Sequence, residues 1–197
     1  EEQRNARYQG DFKWFINNIA EKYKESLLSL NLLSRRDLIR MTDLRLYAEI
    51  ALTLEEGFVT VKGVQLDKLY QRHNASFDNA LQFKERIEYG IDYFIANENL
   101  HQDVLLRMHV FQSIVVAAIA GRYPEEFATR ADEHYSEKLA AVTAQNNSME
   151  VLVSSLRDPE AYPSLSEFIK ANTQATNTAE ARAVRFLYYR HALTLAN

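Results

Sequence analysis

The 197-residue chain contains no cysteine, only three prolines and only five glycines. The absence of cysteine excludes disulfides and thiolate metal sites, and it is compatible with a reducing cytoplasm. The scarcity of proline and glycine, in a chain rich in leucine, alanine, glutamate and arginine, favours helices over a turn-rich β fold. The sequence therefore predicts an all-α protein.

The chain also lacks long hydrophobic runs and a strong charge imbalance. The longest uncharged apolar run, 110–121, has 12 residues, whereas a membrane-spanning helix needs about 20. The charged N-terminal residues show no secretory signal. We therefore expect a cytoplasmic protein with no membrane partner. The net charge is −4 and the pI about 5.8, so that any nucleic-acid surface would be a local basic patch on an acidic body.

Apolar residues recur at three- and four-residue spacing along most of the chain. This pattern predicts an irregular bundle of about seven to nine helices that forms a single domain over 1–197, with 146–163 as the place of any subdivision. The segment 58–63 alternates like a strand, and we interpret it as a loop or a small hairpin. The uncharged run 110–121 should lie in the middle of the bundle. Gly90, inside a predicted helix over 77–97, indicates that another helix packs closely there.

The segment 34–57 is the clearest single helix in the sequence. Ser34 is a capping residue with Asp37 in the first turn, and Gly57 provides a stop. Upstream, Gly10 suits the left-handed position that ends a helix over 1–10. The predicted buried stripe of the central helix consists of Leu38, Met41, Leu44, Ala48, Ala51 and Leu54.

Catalytic and metal-binding motifs are lacking. Glu98 and His101 form one Glu-x-x-His pair, whereas a di-iron bundle needs two such pairs and two further glutamates. No phosphate loop, nucleophile elbow or His-Glu-x-x-His is present. We assign no catalytic residue and no metal ligand. His109 is expected to be a hydrogen-bonded core residue, and Trp14 lies off the apolar face, either as a surface aromatic or as a docking point for another domain.

Basic residues cluster in three parts of the chain, which admits two interpretations. They form either a solvated face with ion pairs to Asp37, Asp43 and Glu49, or a patch that faces phosphates. The clusters are Arg4 and Arg7; Arg35, Arg36, Arg40 and Arg45; and Arg182, Arg185 and Arg190.

Three segments resemble the helical region of the GmrSD-type DNA restriction and defence family. In that family a ParB/sulfiredoxin-like domain precedes the helices. The resemblance covers nearly the whole chain, although the first run is one residue tighter than the family pattern. The matching residues are Gln3, Arg4, Asn5, Ala6, Arg7 and Tyr8; Arg36, Asp37, Arg40, Met41 and Asp43; and Thr176, Asn177, Arg182 and Arg185.

The resemblance implies a parent protein that is a nuclease and NTPase, using a nucleoside triphosphate and Mg. Its chemistry belongs to an Asp-Gly-Gln-Gln-Arg-type motif in an upstream domain, which this sequence does not contain. Because the sequence begins with glutamate, we expect a piece of a longer protein that is inactive alone and holds no cofactor itself. Its expected partners are that upstream domain and, through the parent protein, DNA. The residues expected to contact nucleotide or DNA are Gln3, Arg4, Asn5, Arg35, Arg36 and Arg40.

Two other interpretations remain open at this stage. The chain could be a non-catalytic helical module for protein interaction or homodimerisation, in which case those six residues only link helices. A stand-alone metal-dependent bundle enzyme is the third interpretation. The DNA-targeting protein and the interaction module differ in whether the basic residues contact a ligand, which the sequence does not decide.

Overall fold

The structure is a computed structural model that describes residues 1–124, 133–145 and 147–195. It confirms the predicted all-α multi-helix fold, and the described residues contain no strand, so 58–62 forms a loop rather than a hairpin. None of the described helices is long and apolar enough to cross a bilayer. The helices are α1 (Glu2–Arg7), α2 (Asp11–Ser29), α3 (Arg35–Ile39), α4 (Thr42–Glu56), α5 (Gly63–Arg72), α6 (Ala80–Ala96), α7 (Met108–Arg122), α8 (Glu133–Gln145), α9 (Met149–Arg157), α10 (Ser166–Thr173) and α11 (Ala179–Leu195).

Helix α7 is the centre of the bundle, as its uncharged sequence predicts. Every residue from 110 to 120 is buried, and the helix packs against α4, α6 and α11. Gly90 of α6 makes the closest approach, because a Cβ built there would lie 2.8 Å from the carbonyl oxygen of Val115. The predicted close packing at Gly90 is therefore confirmed.

Aromatic rings connect the N-terminal helices to the rest of the bundle. The ring of Phe12 meets those of Tyr70 and Phe77 edge-on, with centroids 4.9 and 5.2 Å apart. Phe77 also contacts Phe15 and Phe83 at 5.0 and 5.2 Å. These contacts fix α2 against α5 and the start of α6, since edge-to-face ring pairs add to the stabilisation from burial.

Gly10 has a different role from the predicted one. Its φ is −87°, in the ordinary extended region, and it precedes the first residue of α2. A Cβ on Gly10 would lie 1.6 Å from the backbone carbonyl oxygen of Asn74. The side-chain Oδ1 of the same asparagine accepts a hydrogen bond from the Gly10 N–H at 3.0 Å. The glycine is required by this close approach of two backbones, and the prediction of a left-handed helix end was wrong.

The central segment is two helices rather than one. The predicted cap is present, because the Ser34 hydroxyl accepts the Asp37 N–H at 3.2 Å. The helix then stops, and Met41 takes a left-handed conformation with φ 53° before α4 begins. This reversal leaves the short helix α3 outside the bundle while α4 enters it. Of the predicted stripe, Leu38 and Met41 are only half-buried, whereas Leu44, Ala48, Ala51 and Leu54 are buried.

Candidate anion-binding cleft

A cleft of about 310 Å³ opens where α4, the start of α7 and the segment before α11 meet. On α4, Thr42, Arg45 and Glu49 are three and four residues apart and so share one helix face. His109 and Gln112 share a face of α7 for the same reason. The lining residues are Thr42, Arg45, Leu46, Glu49, Met108, His109, Gln112, Thr176 and Asn177.

Among the described residues that line the cleft Glu49 is the only carboxylate, and it is surrounded by donors. Arg45 Nε donates to its Oε1 at 2.8 Å. Gln112 Nε2 and Arg182 Nη1 reach its Oε2 at 3.3 and 3.4 Å. Glu49 is only 7% exposed, so these donors stabilise a charge that burial alone would disfavour.

Two buried arginines lie behind the cleft. Arg182 also donates through Nη2 to the Glu49 carbonyl at 3.4 Å and to the Thr53 hydroxyl. Arg185 is fully buried and donates to the Ser113 hydroxyl at 3.0 Å and to the carbonyls of Ala171 and Thr176 at 2.6 and 2.9 Å.

Arg185 has no carboxylate partner among the described residues. Burial lowers its pKa to about 10, which still leaves the guanidinium protonated at pH 7. Its hydrogen bonds to Ala171 and Thr176 instead fix the last turn of α10 and the segment that leads to α11. A full positive charge is therefore held directly behind the cleft wall.

His109 adds no charge to the cleft at neutral pH. Burial, reinforced by the positive charge of Arg185, lowers the pKa of His109 to about 4. Its Nε2 lies 3.1 Å from the Asn172 carbonyl oxygen; because a carbonyl only accepts, Nε2 carries the hydrogen. The expected hydrogen-bonded histidine is confirmed, although it is half-buried rather than fully enclosed.

The charges of the cleft and its backing do not cancel. The guanidinium groups of Arg45 and Arg182 contact the carboxylate of Glu49, and that of Arg185 adds a third positive charge behind the cleft. The side chains of Thr42, Thr176 and Asn177 also line the cleft and make no hydrogen bond to the described residues. A concave site with surplus positive charge and neutral donors favours an anionic ligand.

The six residues predicted to contact nucleotide or DNA do not line this cleft. Arg4 joins α1 to α5, with Nε donating to Asp67 at 2.9 Å and Nη2 to the Gly63 carbonyl at 3.2 Å. Gln3 is exposed and Asn5 is half-buried. Their contact with a ligand stays a prediction.

The three predicted arginines of the central segment, Arg35, Arg36 and Arg40, are exposed around helix α3. None of them forms an ion pair with a described residue. The pKa of Asp37 is lowered by its hydrogen bonds with Ser34 and, to a smaller extent, by Arg40 and Arg36. These arginines therefore form a solvated basic surface, separate from the cleft.

Sequence reasoning placed Arg182 and Arg185 in a basic cluster but did not predict their burial. The structure excludes a solvated face for both, which are 4% and 0% exposed. Helical spacing could have indicated this for Arg185, because it lies four residues after Ala181 and three before Tyr188, two apolar residues that are buried. The pairing of Arg182 with Glu49 had no such signal, since the two are 133 residues apart.

The residues suggested by the other motifs have ordinary structural partners. His101 Nε2 lies 3.0 Å from the Phe94 carbonyl oxygen. Within the described ranges no three histidine, aspartate or glutamate side chains converge as metal ligands would. Trp14 is exposed, as expected from its position off the apolar face of α2.

Comparisons of the chain with protein family models, with curated proteins and with solved structures gave no match. The geometry of the cleft and the chemistry of its side chains are therefore the basis for the function that follows.

Proposed function

We propose that this helical domain binds a phosphate-bearing ligand of nucleotide size in the cleft, as part of a nucleotide-dependent DNA-targeting protein. The observation that carries the proposal is the surplus of guanidinium groups over carboxylates around one concave site. Buried charge is attenuated less by solvent than surface charge. Arg182 and Arg185 therefore attract an anion more strongly than exposed arginines would.

Arg45 is the residue suited to contact the phosphate directly. Its side chain is 45% exposed, and its partner Glu49 keeps Arg182 and Gln112 when Arg45 turns toward a ligand. A planar guanidinium can bind two phosphate oxygens at once. The hydroxyls of Thr42 and Thr176 and the amide of Asn177 are positioned to supply neutral hydrogen bonds.

The size of the cleft favours a mononucleotide over a nucleic-acid duplex. Its volume of about 310 Å³ is at the lower end of small-molecule sites, roughly 300–1,000 Å³. Two segments that carry the family resemblance also meet here, since Arg45 lies in the central one and Thr176 and Asn177 lie in the closing one. In this proposal the domain holds the ligand, while bond cleavage belongs to another domain.

Calorimetric titration with ATP, ADP and inorganic pyrophosphate, with and without Mg²⁺, tests the proposal. We expect Arg45→Ala to weaken binding about tenfold or more, since a charge-assisted hydrogen bond contributes about 1.5–3 kcal/mol. Arg157→Ala is the matched control, because Arg157 is a half-exposed arginine paired with Asp103 outside the cleft, and it should bind normally. Absence of binding at about 1 mM ligand in low salt, or equal affinity in Arg45→Ala, would overturn the proposal.

The alternative, a module for protein interaction, is favoured by a different observation. Trp14 and Ile39 are 56% and 76% exposed, and large apolar side chains at the surface are candidates for contact with a partner. Trp14 belongs to a second concavity, on the side of α4 away from the cleft.

A further inference from the structure

A groove of about 390 Å³ runs between α2 and the junction of α3 with α4. It shares no lining residue with the anion-binding cleft. Helix α2 contributes Trp14, Asn17 and Lys24 to its walls, Leu38 lies on α3, and Asp43 is in the first turn of α4. The groove therefore combines an indole ring, aliphatic surface and a carboxylate.

Asp43 is the unusual residue of this groove. It is only 8% exposed, and its Oδ1 has no hydrogen-bond partner. No described cation pairs with it; the nearby Lys24 lies 3.7 Å from Glu21 instead. A buried carboxylate oxygen without a partner destabilises the fold by about 1–3 kcal/mol, and no described cation compensates for it.

The surroundings of Asp43 increase this imbalance. Burial, together with the negative charges of Asp37 and Glu1, raises its pKa, and the backbone N–H groups of Leu44 and Asp43 only partly oppose the shift. One turn further along α4, the hydroxyl of the fully buried Tyr47 also has no partner. Tyr47 lies beneath the groove and does not line it, so the acceptor left for a ligand is the carboxylate of Asp43.

We propose that the groove binds the side chain of a lysine from a partner protein, with the ammonium group against the Asp43 carboxylate. An ammonium donates three hydrogen bonds from one point, whereas a guanidinium prefers two parallel oxygens. Asp43 is only 8% exposed, so the compact ammonium fits against its carboxylate better than the broad planar guanidinium. The methylene groups of the lysine would lie along Leu38 and the indole of Trp14, and an aromatic ring also attracts cations.

Trp14 already shows that attraction within the chain. The Lys13 ammonium lies 4.9 Å from the centre of its ring. Trp14 is also the only tryptophan of the sequence, so its fluorescence reports directly on occupancy of the groove.

The binding experiment uses Nα-acetyl-lysine N-methylamide, its norleucine counterpart and n-butylamine, with Trp14 fluorescence as the signal. We expect a saturable change with the lysine compound and none with the norleucine compound, which lacks only the ammonium group. No response to the lysine compound at about 10 mM would overturn the proposal. Equal affinity for n-butylamine would assign the groove to free amines and overturn the choice of a protein partner.

The Asp43→Asn variant supplies a second, independent readout. It should bind the lysine compound at least tenfold more weakly and yet unfold at a higher temperature than the wild type at pH 7, because the unpaired charge is gone. A merely misfolded variant would lose both properties. A lower unfolding temperature would show that the carboxylate has a partner in the free chain, and would overturn the proposal.

The difference in stability between Asp43→Asn and the wild type should also depend on pH. The charged and titratable groups around Asp43 are Glu1, Asp37 and Tyr47, with Glu21 and Lys24 in the groove wall. Because the folded pKa of Asp43 is raised, its charge destabilises the native state above that pKa, and the penalty disappears as the pH falls toward 3.8. The advantage of Asp43→Asn should shrink over the same range. Arg45→Ala in the cleft should leave the affinity for the lysine compound unchanged, so this test is independent of the proposed function.

Discussion

Arg182 Nη1 lies 3.4 Å from Glu49 Oε2, and this ion pair joins residues separated by 133 positions in the sequence. Both side chains are more than nine-tenths buried, with 4% and 9% of their surface exposed. The pair connects α11 to α4 and sets the charge of the cleft. Removing one member of a buried pair costs more than replacing both, because the remaining charge stays buried without its partner.

Glu49→Ala should therefore lower the free energy of unfolding by about 3–5 kcal/mol, the range for breaking a buried ion pair. The measurement is urea unfolding followed by circular dichroism. The double variant Glu49→Leu with Arg182→Met places apolar groups of similar size at both positions. It should be more stable than Glu49→Ala, although it lacks both charges. The loss of stability in the double variant is compared with the sum of the losses in Glu49→Leu and Arg182→Met alone. If the two values agree within about 0.5 kcal/mol, the pair is not coupled.

Gly90→Ala tests the close contact between α6 and α7. Alanine favours a helix by about 1 kcal/mol over glycine, but its Cβ would lie 2.8 Å from the Val115 carbonyl oxygen and from two side-chain carbons. We expect a net loss of about 1–3 kcal/mol from this overpacking. Gly121→Ala is the matched control, since no packed neighbour among the described residues lies within 4 Å of its Cβ position. It should stabilise the protein, and a stabilising Gly90→Ala would contradict the packing argument.

His109 should make the protein sensitive to acid. Its folded pKa of about 4 is below the ordinary 6.5, so the unfolded chain binds the proton first. Neutral His109 contributes fully to stability above pH 6.5. As the pH falls toward 4 this contribution is lost, and the free energy of unfolding decreases by about 1–3 kcal/mol. His109→Gln keeps a side-chain N–H for the Asn172 carbonyl and does not titrate. The stability of wild type relative to this variant should be constant above pH 6.5 and fall below it; a constant difference throughout would contradict the lowered pKa.

The fold class, the central position of α7 and the close packing at Gly90 could all be predicted from the sequence. Each depends on local composition or on the three- and four-residue spacing of apolar side chains, which a helix converts directly into a buried face. The Ser34 cap is equally local, because donor and acceptor are three residues apart. The same reasoning predicted one helix over 34–57, because nothing in the residues around Met41 marks a left-handed break.

The candidate cleft depended on tertiary structure. The sequence determined that arginines occur in the central segment and in the last helix, but an arginine suits a solvated face and a buried site equally well. Burial of Arg182 and Arg185 was decided by packing of α11 against α4 and α7, which brings Glu49, Ser113 and the carbonyls of Ala171 and Thr176 within hydrogen-bond reach. Glu49 and Ser113 are 133 and 72 residues from their arginines, and only the folded chain brings together the groups that make a buried charge stable.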